Sequence, residues 1–133
     1  NFVFQAAIAH QSFHIKTLGK QMIYKKESLD TFRIERHTGN KSNFLRLRLS
    51  EKPCTTQINI LTLPENEEAT NLHADEILFY VEDGVNGIYE QFQRKFHIAE
   101  ISFCPSDSPP ADLYAYLAFE LLKFVMQQET EAG

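Results

Sequence analysis

Hydrophobic and polar positions along this chain follow two periods, two residues in the first half and close to four near the end. The clearest alternation lies at 44–50, where Leu45, Leu47 and Leu49 interleave with Arg46 and Arg48. It predicts an antiparallel strand with one wetted face. Residues 29–36 set Phe32 and Ile34 against Arg33 and Glu35 in the same way, and 21–24 predict a shorter strand. Turn residues at 37–42 join two of these strands into a hairpin. The weak alternation at 2–9 suits a strand better than a short helix. Pro53 ends a strand, and the β-branched run at 55–63 begins another.

In the second half, the acidic stretch at 64–76 holds few apolar groups and reads as an exposed loop. Residues 77–81 are apolar almost throughout, as in a strand buried on both faces, and Asp-Gly with Asn-Gly at 82–87 is turn chemistry. Ile88, Phe92 and Phe96 recur at four-residue spacing and favour a short amphipathic helix, before strand alternation returns at 97–103. A long helix follows within 104–128: Ser108 reads as its N-cap, Pro109 as its first residue and Asp112 as first-turn negative charge. Its apolar arc of Leu113, Tyr114, Leu117, Ala118, Leu121, Leu122, Phe124 and Val125 leaves a narrow polar strip of Tyr116, Glu120, Lys123 and Gln127. Such a helix has to be mostly covered. The pattern predicts an α+β fold, an antiparallel or mixed sheet with the long C-terminal helix packed on one face, forming a single domain over 1–133. Only the last residues, 129–133, read as disordered.

Charge sharpens this picture. Through Lys52 the chain carries ten basic and four acidic residues; after it come three basic and fourteen acidic. Two explanations fit: the halves lie side by side and attract, or the acidic half offers a field to a basic partner. The acids Glu65, Glu67, Glu68, Asp75, Glu76, Glu82, Asp83 and Glu90 fall in or beside predicted loops and form the candidate partner-binding set. Acidic loops that only keep a protein soluble are the competing account. No apolar run is long enough to span a bilayer, and the first residues lack the basic flank of a secretory signal, so the chain reads as cytosolic. Cys54 and Cys104 read as reduced thiols.

Candidate chemistry is sparse. His10 and His14 stand four apart, with neither the Glu that a His-Glu-x-x-His motif requires nor an evident third ligand; His73, Asp75 and Glu76 sit in an acidic stretch. A hydrolytic or RNA-processing enzyme built on His10, His14, His73 or His97 is one alternative. A nucleic-acid-binding module using Arg46, Arg48 and Lys52 beside Phe44 is another, opposed by the fourteen later acids. No Gly-rich phosphate loop, nucleophile elbow or Cys-x-x-Cys pair occurs, and no metal or cofactor is expected.

The strand at 97–103, the run Cys-Pro-Ser-Asp-Ser-Pro-Pro at 104–110 and the helix opening Asp-Leu-Tyr-Ala-Tyr-Leu-Ala at 112–118 resemble the C-terminal ending of small immunity proteins of bacterial contact-dependent growth inhibition and related polymorphic toxin systems. The likeness covers about thirty residues and concerns capping and packing. It implies a cytosolic, non-catalytic protein that neutralises one cognate toxin domain, often a basic nuclease, by covering its active site or an adjacent surface; monomer and homodimer both fit the sequence. The interface residues do not transfer with it, so the acidic set stands on charge alone.

Overall fold

The computed structural model describes residues 12–17, 20–39, 41–61 and 72–132. The expected strand at 2–9, His10 and the candidate acids Glu65, Glu67 and Glu68 lie outside the described residues. Six strands, β1 (Ser12–Thr17), β2 (Lys20–Lys26), β3 (Thr31–Thr38), β4 (Lys41–Ser50), β5 (Gln57–Ile60) and β6 (His97–Phe103), form one sheet in the order β1-β2-β3-β4-β6-β5. All neighbours are antiparallel except β5 and β6, which run parallel. The fold is the expected α+β class, and the sheet is mixed.

The alternation read at 21–24, 29–36 and 44–50 sets the register. Tyr24 pairs with Ile34, Ile34 with Leu45, and Leu45 with Phe103, so one apolar row crosses four strands on a single face. Phe32, Leu47 and Ile101 form the next row. The β3–β4 turn is tighter than 37–42, with Gly39 supplying a left-handed backbone at φ 59°. Both strands therefore run further into the turn than their apolar residues do.

Two helices cover this face. The first, α1 (Ala74–Phe92), corrects the expected strand at 77–81, turn at 82–87 and short helix from 88, which are one continuous element. Parallel strands need a crossover, and α1 lies in the connection between β5 and β6. The helical period was present: Ile77, Val81, Val85 and Ile88 are all buried at spacings of four, four and three. Leu78, Phe79 and Tyr80 obscured it by filling the gaps between them with further apolar residues.

The second helix, α2 (Leu113–Ala132), buries Tyr114, Leu117, Ala118, Leu121, Leu122, Phe124 and Val125. Phe124 stacks on Tyr24 at 5.4 Å between ring centroids and meets Phe32 edge-on at 6.4 Å. Burial of aromatic and aliphatic groups of this size is worth about 1.5–3 kcal/mol each, which makes α2 the main anchor of β3 and β4. It starts later than expected. A residue before proline is driven away from helical backbone, and Pro109 precedes Pro110, so Pro109 is not the first helical residue and Ser108 is not its N-cap. Residues 110–115 instead wind in through turns, Leu113 N donating to Pro110 O and Tyr114 N to Ala111 O. The helix also persists through 129–132, where Arg94 grips both carboxylate oxygens of Glu129.

Candidate docking surface

On α1 the buried side is narrow, and the opposite side collects the acids. At about 100° per residue, Asp75, Phe79, Glu82, Asp83, Asn86, Tyr89 and Glu90 fall within an arc of about 140°, with Glu76 at its border. The candidate acids Asp75, Glu76, Glu82, Asp83 and Glu90 are therefore not loop residues, as their sequence context suggested, but one exposed helical face. Asp75 and Glu76 sit in the first turn, where the positive end of the helix dipole favours carboxylates. Gln93 closes the other end in a left-handed conformation, its N–H donating to Tyr89 O at 2.8 Å. Phe79 is 63% exposed and Tyr89 48%. Large aromatics that open to water amid carboxylates are the residues that reading by charge alone missed. A helical projection of 74–92 would have placed them.

None of these five carboxylates forms an ion pair among the described residues, whereas Arg33, Arg46 and Arg48 of the basic half are paired. Glu27 lies 3.0 Å from both Arg33 and Arg46, and Arg48 meets Glu100 at 3.0 Å. Asn59 and Arg48 together hold the Glu100 carboxyl below its ordinary range. Among the described residues only the Arg48–Glu100 ion pair joins the two halves, so pairing between them leaves most of the described charge split unaccounted for. The arginines proposed to track nucleic acid, Arg46 and Arg48, are those that Glu27 and Glu100 occupy.

The histidines are dispersed. His73 occupies the N-cap of α1, and His97 opens β6 on the flank of that helix. His14 lies on β1 opposite Ile23, and His37, which the sequence gave no reason to single out, meets Glu35 at 3.1 Å. Among the described residues no three His, Cys, Asp or Glu side chains come together as a metal site, and no described helix is long and apolar enough to cross a membrane.

Comparison with protein-family models, curated proteins and solved structures finds no match. The surface therefore has to be read from its own chemistry. The other polar cluster is structural: Asp107 Oδ2 accepts from Phe44 N at 2.6 Å and from the Tyr114 hydroxyl at 3.0 Å, while Asn43 Nδ2 donates to Ser108 O at 2.6 Å. It fastens the β6–α2 connection to β4. Burial pushes both the Tyr114 hydroxyl and the Asp107 carboxyl above their ordinary values.

Proposed function

We propose that this chain is a protein-binding domain that neutralises a cationic partner through the outer face of α1, acting as the immunity protein of a toxin. One observation carries the reading: five unpaired carboxylates share a rigid helix face with exposed Phe79 and Tyr89. Carboxylates at the edge of an interface speed encounter with a basic surface, and aromatic anchors supply residence time. Acids kept only for solubility would not need aromatic side chains exposed among them, since those work against solubility. The likeness of 97–118 to the ending of immunity proteins supplies the class of partner, and a basic toxin nuclease fits the charge.

The product encoded beside this chain is the test. Its C-terminal domain is expected to bind with a Kd below about 1 µM and to lose its activity on binding. A neighbouring domain that neither binds nor is inhibited would refute the proposal.

A further inference from the structure

The α1 face is about 28 Å long and about 10 Å wide, which covers less than half of the roughly 800 Å² that each partner buries in a stable complex. A partner has to reach past the helix. On one flank, between α1 and the start of β6, lies a groove of about 370 Å³, within the range of about 300–1,000 Å³ that suits a bound group. Val85 of α1 and Ile98 of β6 line its apolar floor, which Val81 and Ile101, both fully buried, back. Glu82 and Asn86 stand at its mouth, four apart on the helix and on the same edge. Neither side chain is engaged among the described residues. Across from them the Thr56 hydroxyl is already committed to Ile98 O at 2.7 Å, and the Lys95 ammonium lies over the Tyr89 ring, 5.9 Å from its centroid.

We propose that this groove takes an arginine side chain of the cationic partner, an inference that rests on the docking role of α1. The aliphatic stem would cover the valine and isoleucine floor, as long basic side chains do on apolar surface. The planar guanidinium, with its fork of donors, would span the Glu82 carboxylate and the Asn86 carbonyl, whose residues are i,i+4 neighbours on the helix with Cβ atoms about 5–6 Å apart. A lysine ammonium is a point charge and would reach one of them.

Nα-acetyl-arginine methylamide is the probe, titrated into the methyl-labelled protein and followed by NMR. Saturable shifts are expected at the methyls of Val81, Val85, Ile98 and Ile101, with the corresponding lysine compound about threefold weaker or more. Glu82→Gln should weaken the arginine response about fivefold. Capping the groove gives an independent check. Cys54 lines it and is exposed, whereas burial pushes the Cys104 thiol up to about 11, so a maleimide at neutral pH goes to Cys54. Capped protein should lose the arginine shifts. Shifts scattered over the sheet, equal for lysine, or unchanged after capping would overturn the groove assignment. If the neighbouring domain still binds in that case, the groove alone has failed; if it never binds, the docking reading has failed first.

Discussion

Asp107 illustrates what a single residue contributes. Its carboxylate satisfies a backbone N–H sixty-three residues earlier and a hydroxyl seven residues later, so nothing in its local sequence announced the role, whereas the strand rows at 44–50 and 29–36 are local patterns and were plain. Asp107→Ala leaves two buried donors unsatisfied and should cost about 2–4 kcal/mol in urea unfolding. The ionisation has its own signature. Burial, opposed by the two donated hydrogen bonds, raises the folded pKa above the ordinary 3.8. The native state then holds this proton more tightly than the unfolded chain does. The associated stability is fully present below 3.8 and is lost as pH rises through the folded value. Asp107→Asn keeps an acceptor without a charge, so its unfolding free energy should lack this component; melts of both proteins across the acidic range check the difference.

At the scale of elements, the contrast between the two helices shows what tertiary packing hides. Helix α2 was legible because its apolar arc is interrupted by polar residues at the helical period. Helix α1 was not, because its glycines imitate turns. Gly84 is there for close approach: a Cβ would lie 2.5 Å from Ala115 O and 2.9 Å from Ala118 Cβ of α2. Alanine is preferred to glycine in a helix by about 1 kcal/mol, but overpacking against backbone costs about 1–3 kcal/mol, so Gly84→Ala should be destabilising overall. Gly87 differs. Its Cβ would meet only the Phe119 ring, at 3.3 Å, and a ring can tilt where a carbonyl cannot. Gly87→Ala should unfold at the same urea concentration as wild type or at a higher one. Equal behaviour of the two variants would mean that α1 and α2 are not in the close contact described.

For the whole molecule, the question is what an acidic protein does with a separate basic half. Arg33, Arg46 and Arg48 on β3 and β4 pair with Glu27, Glu35 and Glu100, while Arg36 hydrogen-bonds Asn43 Oδ1. The α1 acids are left to face outwards, and because they have no partners among the described residues, they should be replaceable without loss of fold. Converting Glu82, Asp83 and Glu90 together to lysine removes three negative and adds three positive charges from the net of −5. Its melting temperature should stay within about 6 °C of wild type, since exposed unpaired sites change stability by about 0.5 kcal/mol or less each. Association with an immobilised arginine-rich peptide should slow at least about tenfold at low salt, and the difference should shrink as salt rises and screening shortens to about 10 Å or less. Wild type should also pass through heparin unretained, because Arg33, Arg46 and Arg48 are paired with carboxylates and the net charge is −5. The electrostatic picture of the molecule would be wrong if heparin held the wild type, or if the triple variant bound the peptide at the wild-type rate; in the first case the basic sheet, not α1, would be the surface that meets a partner.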